Sequence, residues 1–331
     1  MRALRSHAPG GPETLVLDTI DEPVAGPGHL LVRVKACAIN FPDVLIIEDK
    51  YQFKPDRPFA PGGEVAGVVA AVGDGVSGWA PGDRLIAYHG HGGLAEFVAV
   101  PAEQAYRIPG DFPDAEAASL LITYATAIHA LTDRAKAKAS ESMLVLGAAG
   151  GIGLSAIELG KAFGLTVVAA VSSEAKAKAA RAAGADKALI YPGGAIDKEA
   201  SKALAGAFKT AAGPGGFDIV FDPVGGDYAE PALRSLGWEG RYLVIGFPAG
   251  IPRIPLNLTL LKSCDIRGVF WGAFAMRDPK ANAVHVDTLF RLWGEGKIGP
   301  RVSATFPLER AGEAIATLRD RKAVGKLVVT L

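Results

Sequence analysis

Residues 144–153 read Leu144-Val145-Leu146-Gly147-Ala148-Ala149-Gly150-Gly151-Ile152-Gly153. In this stretch an apolar strand is followed by a glycine turn, and the turn leads directly into a helix. Glycines let the backbone approach a phosphate without an obstructing Cβ, and the following helix presents N–H groups and a positive dipole end to the anion. The same turn can be purely structural, because 41 of the 331 residues are glycine. The flanking strand, the helix and a second strand ending at a selectivity position favour a dinucleotide-binding turn.

The length and composition of the chain limit the classes to which it can belong. Its 331 residues suffice for two domains. Lys and Arg number 35, as do Asp and Glu, which argues against nucleic acid or an anionic membrane surface as the main partner. Cys37 and Cys264 are the only cysteines, so neither a disulfide framework nor a cysteine zinc cluster is expected. With no signal peptide or membrane-spanning run in the sequence, we expect a cytoplasmic protein.

The region up to about residue 101 consists of short apolar stretches separated by glycine and proline turns. Strands are predicted over 30–36, 65–72, 84–87 and 94–100, with turns at 27–28, 73–75 and 81–83. This pattern is typical of a small, strongly bent all-β unit. A helical pattern follows over 113–139.

Apolar strands then recur at the spacing of β-α-β units. They are predicted over 143–146, 166–171, 187–191, 218–221, 241–245 and 265–270. Their nearly continuous Val, Ile, Leu and Ala content indicates that helices cover both faces, which favours a doubly wound parallel sheet. Amphipathic helices are predicted over 174–183 and 197–212. A helix over 284–295 and a helix-strand unit over 308–331 are expected to return to the N-terminal unit.

Several segments, in this order, resemble one known family. They are Ala38-Ile39-Asn40-Phe41-Pro42-Asp43, Pro61-Gly62-Gly63-Glu64-Val65-Ala66-Gly67, Pro81-Gly82-Asp83-Arg84, Gly93-Leu94-Ala95-Glu96-Phe97, Thr123-Tyr124-Ala125-Thr126-Ala127, the glycine turn, and Gly325-Lys326-Leu327-Val328. The chain resembles the medium-chain dehydrogenase/reductase superfamily, in its zinc-free branch of ζ-crystallin-like NADPH:quinone oxidoreductases. The resemblance implies a GroES-like β-barrel catalytic domain over 1–122 and 272–331, and a Rossmann NADPH-binding domain over 123–271.

The chain departs from the zinc alcohol dehydrogenases of that superfamily at their ligand positions. Asn40 stands where those enzymes have a metal-binding Cys, and Gly63 stands where they have a His ligand. A catalytic zinc needs about three protein ligands. His89, His91 and His129 are isolated histidines, which usually serve packing or surface roles. We therefore expect no metal site.

The end of the second Rossmann strand indicates which nicotinamide cofactor binds. An NAD enzyme places an acid there for the ribose hydroxyls, whereas a 2′-phosphate requires space and a cation. Ser172 and Ser173 leave that space and Lys176 offers a positive charge. The resemblance adds Tyr191 beside the 2′-phosphate. NADPH is therefore favoured, although Glu174 nearby keeps open the alternative that Lys176 is only a solvated lysine.

The resemblance also implies where the rest of the cofactor and the substrate bind. The candidate cofactor contacts are Thr123, Gly147, Gly150, Gly151, Ile152, Gly153, Ile245, Gly246, Phe247, Phe270, Trp271, Gly272, Gly325 and Lys326. The nicotinamide is expected in a cleft between the domains. Hydride transfer leaves negative charge on a carbonyl oxygen of the acceptor, and without zinc this charge must be met by hydrogen-bond donors. Asn40 and Tyr51 are the candidate catalytic residues that donate to this oxygen. Tyr51 can also pass a proton to the product. Alternatively, Tyr51 is an aromatic residue at the rim that only shapes the pocket.

Three functions remain open from the sequence. The first is an NADPH:quinone oxidoreductase. The second is an ene-reductase of α,β-unsaturated carbonyl or acrylate-type compounds, which the segments 255–262 and 270–274 keep open by their resemblance to such reducers. The third is a non-catalytic NADPH-binding protein. The substrate is expected to be a small quinone or enone. The strand at 265–270 should lie at the edge of the sheet with unpaired backbone groups, and the resemblance implies that it pairs with its copy in a homodimer.

Overall fold

The computed structural model describes residues 1–331. Its strands are β1 (Arg2–Arg5), β2 (Val16–Thr19), β3 (His29–Ile39), β4 (Glu64–Val72), β5 (Arg84–Tyr88), β6 (Phe97–Pro101), β7 (Ala105–Arg107), β8 (Ser142–Val145), β9 (Thr166–Val171), β10 (Lys187–Ile190), β11 (Phe217–Asp222), β12 (Leu236–Val244), β13 (Asp265–Gly268), β14 (Val302–Pro307) and β15 (Lys326–Thr330).

The α-helices are short and lie mostly in the C-terminal two thirds of the chain. They are α1 (Phe41–Ile47), α2 (Asp114–Ala117), α3 (Thr126–His129), α4 (Gly151–Ala162), α5 (Glu174–Ala182), α6 (Lys198–Ala212), α7 (Ala229–Leu233), α8 (Asn257–Lys262), α9 (Trp271–Arg277), α10 (Pro279–Gly294) and α11 (Ala311–Arg319). Wider π-helical turns, Leu121–Ala125 and Ala130–Ala135, flank α3. None of the helices combines the length and apolar character that crossing a membrane requires.

The chain forms two compact units. Unit 1 comprises Met1–Ile122, Asp278–Phe290 and Gly299–Leu331, and unit 2 comprises Thr123–Arg277 and Arg291–Ile298. The return to unit 1 falls after Arg277, whereas the sequence placed it at residue 272. The physical reason lies in α9, whose Phe274 ring stacks on His129 of the same unit at 4.2 Å between centroids.

Unit 1 is built on a bent sheet in the order β14-β15-β3-β4-β5-β7, with β6 paired to β3 and a separate β1-β2 ribbon. All neighbours in this sheet are antiparallel except β14 and β15. Its core is a cluster of buried apolar side chains that includes Leu30, Val65, Leu85 and Val329. The predicted strands and the sheet they form are thus confirmed, but the unit is not all-β, because β3 is followed by the helix α1.

Unit 2 contains a six-stranded parallel sheet in the order β10-β9-β8-β11-β12-β13. In chain order this is the doubly wound arrangement 3-2-1-4-5-6, whose connections reverse between β8 and β11. The central strands β8, β9 and β11 are almost fully buried, as their continuous apolar composition indicated. The edge strands β10 and β13 are half-buried or exposed along most of their length, so for them the prediction of two covered faces is wrong. Ligands bind such sheets outside the carboxyl ends of the strands at the reversal point, which is where the glycine turn leaves β8.

Two elements of unit 2 differ from the sequence-based prediction. The last strand ends at Gly268 rather than at residue 270, because α9 begins at Trp271 and Phe270 leaves the ladder with 59% of its surface exposed. The strand β12 begins at Leu236, before the predicted start, and its register with β11 shifts between Phe217 and Ile219. The missed residues include Gly237, Glu239 and Gly240, which interrupt the continuous apolar run from which the strands of this unit were predicted.

Candidate active site

The glycine turn after β8 has a geometry that only glycine allows at two of its positions. Gly147 has φ +55°, and a Cβ there would lie 2.7 Å from the Val224 side chain. A Cβ on Gly153 would lie 2.6 Å from the Gly147 carbonyl oxygen. The helix α4 begins at Gly151, and its N-cap Gly150 provides no side-chain acceptor for the first N–H groups. A diphosphate therefore fits this turn.

The predicted selectivity residues come together at the ends of β9 and β10. Lys176 Nζ donates to Ser172 Oγ at 3.1 Å, and Ser173 caps α5 by accepting from the Lys176 backbone N–H at 3.3 Å. Tyr191 follows β10, and its backbone N–H donates to the Val171 carbonyl at 2.9 Å. A cation and two hydroxyls thus share one corner of unit 2, while the Tyr191 ring is buried and lies 4.9 Å from the Tyr228 ring.

Glu174, which left the role of Lys176 open in the sequence, is engaged elsewhere. Its carboxylate accepts from Arg181 Nη1 at 2.8 Å, and 69% of its side chain is exposed. No acid other than Glu174 stands beside the serine pair in sequence. The arrangement suits a phosphate monoester better than ribose hydroxyls, since phosphate oxygens only accept from these donors.

The remaining predicted cofactor contacts of unit 2 lie at ends of its elements. Ile245 follows β12 and its N–H donates to the Asp222 carbonyl at 2.9 Å, while Phe247 is 45% exposed. Thr123 lies in the π-helical turn before α3, and its carbonyl accepts from Ser155 Oγ at 3.0 Å. Such turns often mark functional sites. Trp271 is buried at the start of α9, and Gly272 follows it in the helix.

Asp222 is a residue of this region that the sequence did not single out. Its carboxylate accepts from the N–H groups of Val224 and Gly225 at 2.8 and 2.9 Å, and from the Tyr242 hydroxyl. Burial raises the pKa of Asp222, and burial together with the Asp222 charge raises that of Tyr242 well above its usual value. The carboxylate holds the turn at the end of β11, next to the reversal point. An acid ending an apolar strand before Pro-Val-Gly-Gly was the available signal.

In unit 1, the backbone around Asn40 is held by a buried aspartate. Asp43, in the first turn of α1, accepts from the Asn40 N–H at 2.7 Å and from the Gly62 N–H at 2.9 Å. Both carboxylate oxygens are thereby used, and 2% of the residue is exposed. Asp43 thus joins the start of α1 to the loop that ends with Gly63 and leads into Glu64, the first residue of β4.

The Asn40 side chain lies between two buried charged groups. Its Nδ2 donates to Glu64 Oε2 at 2.8 Å and to the Ala38 carbonyl at 3.2 Å, while its Oδ1 accepts from Lys326 Nζ at 2.5 Å. Glu64 also accepts from the Ile122 N–H at 2.9 Å. Glu64 is fully buried, and Asn40 and Lys326 are 5% and 4% exposed. Both amide hydrogens of Asn40 therefore have partners within the protein.

Burial dominates the electrostatics of this network. It raises the pKa of Glu64, an effect that the nearby Lys326 ammonium opposes. It raises the pKa of Asp43 to about 6, against the two backbone N–H donors that favour the charged form. The Cys37 thiol, also fully buried, has its pKa raised well above the usual value by burial and by Asp43. Cys37 is therefore a packing residue rather than a reactive thiolate.

Tyr51 lies after α1, is partly buried and packs against the apolar core of unit 1. Its hydroxyl donates to no group of the protein, in contrast to Asn40. Burial raises its pKa, and the Asp43 charge adds to the effect. A phenol with a raised pKa stays protonated at neutral pH and can donate a hydrogen bond or a proton.

Gly325 and Lys326 were expected to contact the cofactor, and the structure gives both a role inside unit 1. Gly325 has φ +80°, and a Cβ there would lie 2.6 Å from the Arg301 carbonyl oxygen. Lys326 turns its ammonium toward Asn40, with the Ile39 carbonyl at 3.4 Å as a second acceptor. The predicted contact of Gly325 and Lys326 with the cofactor stays a prediction.

The three histidines of the sequence analysis fall in two places: His89 and His91 are neighbours in unit 1, and His129 belongs to unit 2. Burial and the neighbouring His91 lower the pKa of His89 to about 3, and neither ring nitrogen of His89 has a hydrogen-bond partner. His91 stacks on Phe53 with ring centroids 5.8 Å apart. In unit 2, His129 Nδ1 lies 2.6 Å from an Asp133 oxygen. His89 and His91 lie among aromatic and apolar groups, as packing residues do.

Comparison with known proteins identifies the class. Two family models match the chain: the alcohol dehydrogenase GroES-like domain over residues 26–110, and the zinc-binding dehydrogenase domain over residues 151–285. Together with the bent sheet of unit 1 and the doubly wound sheet of unit 2, these matches define a medium-chain dehydrogenase/reductase.

Individual relatives narrow the class to one family. Quinone oxidoreductase-like protein 2 of mouse is 35% identical over 321 residues, which cover 96% of this chain and 89% of the relative. A mycobacterial protein solved with NADPH has a TM-score of 0.92 at 30% identity, and Escherichia coli quinone oxidoreductase solved with NADPH has 0.91 at 26%. Both alignments cover 100% of each chain. The chain belongs to the quinone oxidoreductase family of the medium-chain dehydrogenases/reductases.

Proposed function

We propose that this protein is an NADPH-dependent oxidoreductase that reduces a quinone without zinc. One observation carries the metal-independent part of the proposal: the Lys326 ammonium lies 2.5 Å from Asn40 Oδ1. A cation already stands at the residue that replaces a zinc ligand, and a second, divalent cation there would be repelled. A side chain at Gly63 is also excluded, because its Cβ would lie 2.8 Å from the Gly90 carbonyl oxygen.

The cofactor is NADPH, as in the two solved relatives. We propose that Gly147, Gly150, Gly151, Ile152 and Gly153 hold its diphosphate at the start of α4. We further propose that Ser172, Ser173, Lys176 and Tyr191 bind the 2′-phosphate, and that Thr123, 245–247 and 270–272 border the nicotinamide. The glycine turn that a Cβ would fill and the Lys176–Ser172 bond support these assignments.

Bound NADPH supplies a hydride, and the acceptor's carbonyl oxygen then carries negative charge. We propose that Asn40 and Tyr51 meet this charge. One Asn40 hydrogen is held by Glu64 at 2.8 Å, but the other makes only a 3.2 Å bond to the Ala38 carbonyl. A charge-assisted bond is roughly twice as strong as a neutral one. An anionic oxygen would therefore compete successfully with Ala38 for that hydrogen.

Tyr51 supplies the second donor in this proposal. Its hydroxyl has no partner in the protein, so it can turn to the acceptor without breaking an internal bond. Because its pKa is raised, the phenol stays protonated at neutral pH and can also pass a proton to an enolate. A quinone can accept its proton later from water, whereas an alkene product needs it at carbon.

A kinetic comparison tests the function. The purified protein is assayed with NADPH or NADH against a benzoquinone, a naphthoquinone, an enone and an acrylate. The proposal predicts the highest kcat/KM with NADPH and a quinone. Faster turnover of the enone or the acrylate would instead identify an ene-reductase. Tight NADPH binding with no turnover of any acceptor would identify a cofactor-binding protein.

We also propose that the protein is a homodimer that joins through β13. This strand lies at the end of the unit 2 sheet and is hydrogen-bonded on one side only, to β12. Exposed apolar side chains stand on the neighbouring α8, including Leu260 at 79% and Leu261 at 65% exposure. Pairing of β13 with its copy would satisfy the open edge and cover these side chains.

A further inference from the structure

The ammonium of Lys326 is unusual because lysine is seldom fully buried. It begins β15 and has 4% of its surface exposed. Its Nζ donates to Asn40 Oδ1 at 2.5 Å and to the Ile39 carbonyl at 3.4 Å, and lies 3.5 Å from Glu64 Oε2. The ammonium therefore has two hydrogen-bond acceptors and one ion-pair partner within unit 1.

The two charged neighbours allow the Asn40 amide only one orientation. An ammonium only donates, so Oδ1 must face Lys326, and a carboxylate only accepts, so Nδ2 must face Glu64. Turning the amide over would set Nδ2 against the ammonium and Oδ1 against the carboxylate, and both bonds would be lost. In a buried site this preference is strong. The pair thus fixes which amide hydrogen remains in the weaker bond to the Ala38 carbonyl.

We propose that Lys326 is a positioning residue that, opposite Glu64, holds the Asn40 amide in the orientation needed to receive the acceptor's oxygen. The inference rests on the proposed function, because it takes Asn40 to contact that oxygen. Lys326 acts through Asn40 and touches neither cofactor nor substrate. Its loss is therefore expected to lower kcat and to leave the KM for NADPH unchanged.

If Lys326 serves only to balance the charge of Glu64, a different result is expected. Removing Lys326 alone would leave Glu64 as an uncompensated buried carboxylate, which is strongly destabilising. The paired variant Lys326→Met/Glu64→Gln removes both charges. Its single amide oxygen can accept from Asn40 Nδ2, which leaves the Ile122 N–H without the acceptor that the carboxylate provides. If Lys326 only balances charge, this variant regains both stability and turnover. If Lys326 positions Asn40, it regains stability but stays slow.

The experiment measures Tm, kcat with a quinone and KM for NADPH in the full-length protein. Four forms are compared: wild type, Lys326→Met/Glu64→Gln, Asn40→Ala and the triple variant. Exposed Lys322→Met, whose residue pairs only with Asp320, is the matched control. The paired variant should remain folded, with a cooperative unfolding transition and the wild-type NADPH KM, but with a kcat lower by about tenfold to about a hundredfold, the effect of a misplaced reacting group. In the Asn40→Ala background the same pair of substitutions should cost nothing further.

The outcomes separate this inference from the proposed function. A paired variant that folds and turns over at the wild-type rate would overturn the positioning role and leave the catalytic role of Asn40 standing. Independent, additive losses in the triple variant would overturn it as well, because they would show that Lys326 does not act through Asn40. Wild-type turnover by Asn40→Ala would remove the proposed role of Asn40, and this inference with it.

Discussion

The Lys176 ammonium donates to the Ser172 hydroxyl at 3.1 Å, so that a cation and a small donor stand together at the end of β9. Both residues are half-buried. In the proposed function, the pair forms one corner of the site for a phosphate monoester. The preference for NADPH over NADH can therefore be tested by substituting Lys176.

Lys176→Ala should weaken NADPH binding and leave NADH binding almost unchanged. A charge-assisted phosphate contact contributes about 1.5–3 kcal/mol, which is about tenfold or more in Kd. Fluorescence titration of both cofactors measures the effect. Exposed Lys178→Ala on the same helix is the matched control and should leave both affinities as they are. Equal loss of NADPH and NADH affinity in Lys176→Ala would contradict a 2′-phosphate contact.

Activity should be independent of zinc. We expect purified protein to hold less than one equivalent of zinc and to keep its quinone reductase activity after dialysis against a strong chelator. The reason is that Asn40 and Gly63 supply no metal ligand and the Lys326 ammonium lies beside Asn40. Elemental analysis before and after dialysis checks this. One tightly held zinc per chain, with activity lost on its removal, would refute the prediction.

Asn40→Ala and Tyr51→Phe should each lower turnover at saturating NADPH while cofactor affinity stays near wild type. Losing one donor to a developing oxyanion costs about 10²–10³ in rate where water is excluded, and less where solvent can replace the donor. Tyr51→Phe should slow enone reduction more than quinone reduction, because only the alkene product needs the proton at carbon. Turnover of both variants on both substrates is the measurement. Losses below about threefold throughout would mean that these residues only line the pocket.

The stability of the folded protein should depend on the ionisation of Asp43, whose pKa is raised to about 6 by burial. In the unfolded chain this carboxyl ionises near its ordinary value of 3.8. Between these two values the unfolded state releases its proton first, so rising pH favours unfolding. Above the folded-state pKa the Asp43 carboxyl is ionised in both states, and the loss of stability from burying its charge reaches its full value. The groups that face Asp43 are Glu64, Lys326, Cys37, Tyr51 and Tyr88.

Asp43→Asn should remove this pH dependence, because its amide carries no charge. Relative to wild type, the free energy of unfolding of the variant should improve by about 1 kcal/mol between about pH 5 and about pH 7. Denaturant unfolding of both proteins at the two pH values measures it, and comparing them cancels the titration of all other groups. Exposed Asp56→Asn should keep the wild-type pH slope. An unchanged slope in Asp43→Asn would show that this carboxyl does not titrate in that range.

Light scattering at micromolar concentration should give twice the chain mass of 34.3 kDa. Leu260→Asp, on the exposed face of α8, should shift the protein toward monomer, because a carboxylate would be buried in the interface. Val24→Asp is the control, since Val24 is a similarly exposed apolar residue of unit 1. A monomer mass for the wild-type protein would contradict the dimer.

Much of unit 2 could be predicted from the sequence, because its signals are local. Continuous apolar runs identify strands covered on both faces, and the turn at 147–153 requires glycine at Gly147 and Gly153 for steric reasons. The serine pair and Lys176 fall within a single turn of one another, so their proximity follows from the chain itself. The short helices α8 and α9 escaped prediction, since fewer than eight residues carry too little periodicity to distinguish a helix.

The centre of unit 1 depends on the tertiary structure alone. Lys326 and Asn40 are 286 residues apart, and they meet only because β15 pairs with β3 and places its first residue beside the end of that strand. In the sequence, Lys326 follows a glycine near the C-terminal end and Asn40 precedes a helix, and no pattern connects the two. The sequence by itself determined the fold class, the cofactor turn and the missing zinc ligands, because residue type and near neighbours decide these. Burial and long-range strand pairing decided which Asn40 hydrogen is held by Glu64 and which makes the longer bond to the Ala38 carbonyl.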